Sequence, residues 1–357
     1  MKKIDSADDF YFSSLSRNPE YRQEVITAIE TAFGYSKEHH FEIDFFPLMC
    51  KENSANNILL LSKSTHELIG HIGIKFRKLK FDDFETKVAL IGGVFIAPQY
   101  QGQGYFGKFF TYVLKSYSTD VSMFWLWSDH YELYKKYGFD LSGGQLEIKK
   151  IDFVGTISHE IDIVEKKLLQ ISDKEWQEIK QIYCDVTIKQ NAAFLREQDN
   201  WEELTQITST TAYIFYKEKH IIGYCFYNKG MDLRNVIHEL AFAVNIDSKI
   251  KKTILTMLVP KHTLWLPEES DFADGELKYL ALIKIGNREK FKKFVTDWSR
   301  QQINITMITH DMVNFYFNHQ HYQEDIASFK QLLFGPNPCP SWHSFTKGLA
   351  ISGMDSV

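Results

Sequence analysis

Residues 98–107, PQYQGQGYFG, carry two overlapping spacings that could seat phosphate oxygens. Gly102, Gly104 and Gly107 spell G-x-G-x-x-G, the spacing of a dinucleotide cradle. Gln99, Gly102 and Gly104 spell Q-x-x-G-x-G, the spacing of a loop that rings the pyrophosphate of an acyl-coenzyme A. Either chemistry needs backbone N–H groups gathered at a helix start, where the dipole favours an anion. Either needs glycine, so that no Cβ stands between backbone and phosphate. The elements on both sides decide between them.

Before the loop, NILLLS (57–62), ELIGHIGIKF (67–76) and TKVALIGGVFI (86–96) read as strands joined by tight turns, and so as antiparallel. The third is apolar on both alternating faces and belongs inside a sheet. After the loop, Phe106, Phe109, Phe110, Val113, Leu114 and Tyr117 keep the spacing of an amphipathic helix opening near Gly104. VSMFWLW (121–127) is another buried strand, and HYELYKKYGF (130–139) a short helix ended by Gly138. Upstream, Asn18-Pro19 reads as the cap and first residue of a helix running to about Phe33. A second short helix falls around HFEIDFFPLM. A dinucleotide fold would place βαβ units before the glycines and an acidic residue about twenty positions beyond them. Here antiparallel strands precede the loop, and Asp129 follows Gly102 only after about 27 residues. The acyl-CoA spacing meets its context: buried strand, glycine turn, helix.

This arrangement, GGVFIAPQYQGQG at 92–104 followed by LYKKYGF at 133–139, resembles the GNAT acetyltransferase superfamily. The resemblance is specific over about 85–140 and looser over the rest of 1–150. It implies a mixed, largely antiparallel α/β (α+β) fold, acetyl-CoA as co-substrate and no metal. It implies that the backbone of Val94, Phe95 and Ile96 pairs with the pantetheine arm. Gln99, Tyr100, Gln101, Gly102, Gln103 and Gly104 would ring the pyrophosphate. Ser128 and Asp129 fall where the next strand splays away to admit the acyl group. Tyr134 matches the tyrosine that protonates the departing thiolate. A phenol is protonated at neutral pH and suits that task; the alternative is a packing tyrosine on a short helix.

TAYIFYKEKHIIGYCFYNKG (211–230), NVIHELAFAV (235–244), SKIKKTILTMLV (248–259) and HTLWLP (262–267) repeat the order of the first part. Ile222-Gly223-Tyr224 sits like Ile69-Gly70-His71. No glycine loop precedes the helix of this copy, so no phosphate cradle is expected there. YLALIKI (279–285), NREKFKKFVTDW (287–298), INITMITHDMVNFYF (303–317) and EDIASFKQLLFG (324–335) add a strand, a helix, a hairpin and a last helix. The chain order resembles the tandem acetyltransferases of the enhanced-intracellular-survival type. It implies a catalytic domain over 1–150, a degenerate GNAT-like domain over 151–277 and a small C-terminal α/β piece over 278–357, a shortened sterol-carrier-like domain. In that type the terminal carboxylate accepts a proton in the first domain's site, which would make Val357 catalytic.

A net charge of −5 gives no electrostatic footprint for nucleic acid. Cys50, Cys184, Cys225 and Cys339 form no C-x-x-C pair, and buried free thiols in a reducing cytosol are expected. MKKIDSADDF is charged where a signal peptide needs an apolar run, and ALIGGVFIA (89–97) is too short to span a bilayer. A cytoplasmic protein follows, with no membrane or nucleic-acid partner; an oligomer is allowed. The GNAT resemblance implies that Glu42 and Asp44 lie in the segment that covers the acceptor side, either as a clamp for a cationic amine or as a solvated helix face. His39-His40 has no partners at metal-ligating spacing. The expected activity is acetyl transfer from acetyl-CoA to a small-molecule or peptide amine by direct attack. The alternatives are a non-catalytic acyl-CoA-binding regulator and a tandem-type aminoacyl transferase; the acidic balance and the intact loop argue against the latter.

Overall fold

The computed structural model describes residues 9–150, 161–189, 191–267, 275–336, 342 and 348–357. Among them a thirteen-stranded sheet forms the body of the molecule. Across it run Phe10–Ser14, Asn57–Ser62, Leu68–Phe81, Phe84–Ile96, Met123–Leu126, Glu276–Ile285, Asp140–Ile148, Thr263–Pro267, Val236–Phe242, His220–Tyr227, Thr211–Lys217 and Ile161–Lys167. Ala193–Leu195 adds to the outer part of Leu68–Phe81. Two pairings are parallel: Phe84–Ile96 with Met123–Leu126, and Val236–Phe242 with Thr263–Pro267. Each spans a helical crossover, Tyr105–Tyr117 or Ser248–Leu258, as parallel neighbours require. The fold is thus mixed and largely antiparallel α/β, as the sequence implies.

Both faces of the first half are covered, which is why Asn57–Ser62 and Met123–Leu126 are buried at every position. On one face the helix Tyr105–Tyr117 packs Phe109, Phe110 and Val113 against Ile72, Ile74 and Phe124. On the other, Leu79, Phe81 and Leu90 receive Phe294, Trp298 and Phe334 of the C-terminal segment. The rings of Phe81 and Trp298 lie 5.9 Å apart. That segment has its own sheet, Ile303–Ile308, Met312–Phe317 and Gln320–Asp325, between the helices Arg288–Trp298 and Ile326–Phe334. The hairpin expected over 303–317 is there. The third strand shows no apolar alternation because its side chains are almost all exposed.

YLALIKI lies in the strand Glu276–Ile285. The strand Glu276–Ile285 is inserted between Met123–Leu126 and Asp140–Ile148, antiparallel to both. Asp140–Ile148 pairs on its other edge with Thr263–Pro267. Each half therefore completes its sheet with a strand from the other's side of the chain, along one shared seam. A local geometry also recurs in the two halves. A Cβ on Gly70 would fall 2.7 Å from the Phe95 carbonyl oxygen, and one on Gly223 would fall 2.7 Å from that of Ala241. Glycine is needed in both because the neighbouring strand passes too closely for a side chain.

Smaller differences have local causes. Pro19 opens a 3₁₀ turn, Pro19–Tyr21, and the helix starts at Arg22; the Asn18 side chain bonds Ser13 and Glu20 instead of capping. Cys50 and Cys225 are buried as expected, whereas Cys184 is exposed. Cys339, with the rest of PCPSWHSF (338–345) apart from Trp342, lies outside the described residues. No helix among the described residues is long and apolar enough to cross a membrane.

The seam sets a limit on truncation. A fragment ending at residue 150 lacks the strand that pairs with both Met123–Leu126 and Asp140–Ile148. Leu280, Leu282 and Ile283 are buried in it, each stabilising by about 1.5–3 kcal/mol. Their sum is comparable to a domain's whole stability of about 5–15 kcal/mol. Fragment 1–150 should therefore show no cooperative thermal transition and should bind an apolar dye. A sharp melt from 1–150 alone would contradict this.

Candidate active site

The glycine loop sits where the strand Phe84–Ile96 ends. Pro98–Tyr100 forms one 3₁₀ turn, and Gln101 and Gln103 donate their side-chain amides to the carbonyls of Ile96 and Gln99 at 2.9 and 2.7 Å. Gly102 and Gly104 have φ of +70° and +86°, left-handed values that glycine adopts without strain. A Cβ at either would meet nothing within 4 Å, so the loop faces open space. Gly104 is the N-cap of the helix Tyr105–Tyr117, and no side chain caps that helix. Its first N–H groups are thus left for an outside acceptor. Tyr100, partly exposed, donates its hydroxyl to Glu67 at 2.5 Å.

The second half differs at the corresponding helix. Ser248–Leu258 is capped by Asp247, whose carboxylate accepts from the Lys249 N–H at 2.7 Å. A negative side chain already occupies the position where a phosphate would sit.

The strand leading into the loop is irregular. Its pairing with Leu68–Phe81 shifts register between His71 and Gly73, so that one extra residue bulges near Gly93, with φ of +58°. His71, fully buried, contacts the Gly93 carbonyl through Nδ1 at 2.7 Å. On the other edge, pairing with Met123–Leu126 is confined to Val88–Met123, Ala89–Phe124 and Leu90–Trp125. Beyond Leu90 the two strands part.

A cavity of about 860 Å³ opens beside this gap. Its walls include Val94, Ser128, Asp129, Tyr134 and Val357, five of the residues singled out by the sequence. Phe95 and Ile96 are not among them, and neither is the loop Gln99–Gly104, which lies beyond the strand's end. Tyr134 sits on the short helix Tyr131–Lys135, with Phe106, Phe110 and Phe139 around its ring. Burial pushes its phenol up to about 12, and the Ser128 hydroxyl pulls the other way. Val357 lies directly against the bulged strand: a Cβ on Gly92 would run into its backbone carbonyl group.

The second half supplies Lys229, Asp232, His238 and Glu239 to the same cavity, residues the sequence reading did not single out. His238 and Glu239 did leave a trace, as polar residues inside the buried strand NVIHELAFAV. Burial pushes His238 down to about 4, so it is neutral at pH 7. Asp44 is not on a solvated face: it is buried, which raises its carboxyl, against Gly230 of the second half. Glu42 remains half-exposed and pairs with Arg22 at 3.3 Å. His40 lies 3.7 Å from Glu30.

The model of the acetyltransferase (GNAT) domain family matches residues 16–142. No curated protein matches the sequence. Solved structures similar over most of the chain include these three. A conserved protein from Enterococcus faecalis described as a probable N-acyltransferase has 13% identity and a TM-score of 0.61, covering 91% of this chain and 89% of that one. A GCN5-related N-acetyltransferase from Anabaena variabilis has 14% identity and a TM-score of 0.58, with coverage of 91% and 89%. Eis1 from Mycobacterium abscessus has 11% identity and a TM-score of 0.57, with coverage of 90% and 89%. At these identities the likeness is one of fold. The glycine loop and the bulged strand both lie within residues 16–142, the stretch that the acetyltransferase (GNAT) domain family matches.

Proposed function

We propose that the protein is an N-acetyltransferase using acetyl-CoA as co-substrate. One observation carries this reading: an uncapped, glycine-opened helix and a cavity holding Tyr134 flank a single strand segment, Gly92–Ile96, that its parallel neighbour leaves free. The loop Gln99–Gly104 would hold the pyrophosphate on backbone N–H groups. The free edge of Val94–Ile96 would pair with the pantetheine amides. A backbone N–H there would polarise the thioester carbonyl as an oxyanion donor. Ser128 and Asp129 would line the opening for the acyl group.

The bond made is from the acceptor nitrogen to the acetyl carbon, and the bond broken is from that carbon to sulfur. The attacking amine loses one proton, taken by the Val357 carboxylate or by water. Tyr134 gives one proton to the thiolate. Its raised pKa keeps the phenol protonated across the neutral range, as a general acid requires. Asp247 in place of a glycine loop supports a second half that binds no acetyl-CoA. The organisation proposed with this activity is a catalytic piece over 1–150, a degenerate GNAT-like piece over 151–277 and a C-terminal piece over 278–357. The acceptor class is an amine, on a small molecule or a peptide.

Gly104→Glu places a side chain and a negative charge on the open face of the loop. Calorimetric titration should detect no acetyl-CoA binding to a variant that still melts cooperatively. Unchanged affinity would remove the cradle.

Tyr134→Phe should lower kcat by about 10²-fold and leave the KM for acetyl-CoA nearly unchanged, the pattern of a group acting only in the transition state. Wild-type turnover in the variant would make Tyr134 a packing residue. The pH profile offers a separate check. A phenol raised to about 12 is protonated at every lower pH. The wild-type kcat should therefore show no alkaline limb from Tyr134 near its ordinary value of about 10. A limb there that disappears in Tyr134→Phe would mean the phenol is not raised.

A further inference from the structure

The last residues of the chain are held by two buried basic side chains of the second half, Arg196 and Lys229. Arg196 has a side chain with no exposed surface. Its guanidinium donates to both oxygens of Glu239, at 3.0 and 2.6 Å, and to Asp355 from Nη2 at 2.7 Å and Nε at 3.2 Å. Tyr224 donates its hydroxyl to Glu239 at 2.7 Å, and the guanidinium lies over the Tyr183 ring at 4.2 Å. Lys229 donates to the carbonyls of Gly353 and Ser356 at 2.8 and 2.6 Å and to the Ser356 hydroxyl at 3.1 Å, and its nitrogen lies 4.6 Å from the Phe45 ring centroid. Upstream, Ala192 brackets the tail, donating to the Gly348 carbonyl and accepting from Ala350. Gly353 is pressed onto the second half, where a Cβ would meet Leu233 at 2.5 Å and His238 at 2.8 Å.

These contacts end one residue before Val357, whose carboxyl carbon lies on Gly92. We infer that Arg196 and Lys229 are positioning residues, an anchor that fixes the register of the tail and so sets where the Val357 carboxylate lies in the cavity. The inference rests on the reading of Val357 as proton acceptor for its catalytic meaning, but not for the anchor itself. Apolar packing could hold a ten-residue tail without the desolvation that a buried arginine and lysine incur. Apolar contacts are non-directional, however, and tolerate sliding. A slip of one residue moves an extended chain by about 3.3–3.6 Å, and a misplacement of about 1 Å can cost 10²-fold in rate. Hydrogen bonds from fixed donors to Asp355 and to two named carbonyls permit one register.

The test uses the full chain with Lys229→Met, which keeps the apolar stem and loses all three bonds, and Asp355→Asn, which leaves Arg196 paired with Glu239. Thermal melts confirm folding of each. Release of Val357 by carboxypeptidase, followed by mass spectrometry, reads the tail directly; kcat and the KM for acetyl-CoA read its effect. Faster release than from the wild type, with kcat lowered on the order of 10²-fold and KM for acetyl-CoA unchanged, supports the anchor and its catalytic role. Release as slow as wild type in both variants overturns the anchor, whatever the rates. Fast release with undiminished kcat leaves the anchor standing and overturns Val357 as proton acceptor, and the same kcat after deletion of Val357 would agree.

Discussion

Three residue pairs, Val88–Met123, Ala89–Phe124 and Leu90–Trp125, are all that join the central strand to its parallel neighbour. The site depends on the ladder stopping there. Backbone N–H and C=O groups in a sheet demand partners, and those of Ile91–Ile96 on that side are left without a strand. Met123–Leu126 cannot swing back to cover them, since its other edge is held by Leu282–Ile285. The gap is therefore built by pairing elsewhere in the sheet. An extended ligand arm bearing amides would complete the ladder, with the helix N-terminus at one end and the cavity at the other.

The two halves use one helical crossover for opposite purposes. In the first, the helix start is stripped of any capping side chain and exposed through two left-handed glycines. A helix end without its cap forgoes about 0.5–2 kcal/mol, a sacrifice that makes sense where a ligand supplies the missing acceptor. In the second, Asp247 closes the helix end and the polar investment moves inward, to Arg196, Lys229 and Glu239. The second half contributes charge and shape to the cavity and tethers the tail.

Much of the first half was legible because its signals are local. The apolar run in NILLLS, the helical spacing from Phe106 to Tyr117 and the glycines at 102 and 104 each report on a few neighbouring residues, and each has its place in the structure. Val94, Ser128, Asp129 and Tyr134 could be set near one another because strand, loop and helix follow directly in the chain. What stayed hidden depends on distant partners. Nothing in YLALIKI says which sheet it joins, since a strand buried on both faces reads the same in any interior position. Lys229 and Asp232 look like turn residues in YNKGMD, and only the packing of the halves makes them cavity walls. Arg196 carries no sign of burial until Glu239 and Asp355 are known to meet it. Asp44 stayed open between an amine clamp and a solvated face because the residues that cover it, around Gly230, come almost two hundred positions later.

The shared seam also orders events on the ribosome. Asp140–Ile148 is made early, yet neither of its neighbours, Thr263–Pro267 and Glu276–Ile285, exists until the second half has been synthesised. The first half must wait with an unfinished sheet and a strand lacking company on either edge. Pairings this far apart in sequence close slowly, and unpaired edges invite association with other chains. The nascent protein gains the surroundings of its bulged strand and its second half in one late step, so the interval before residue 285 emerges is when it most needs a chaperone's cover.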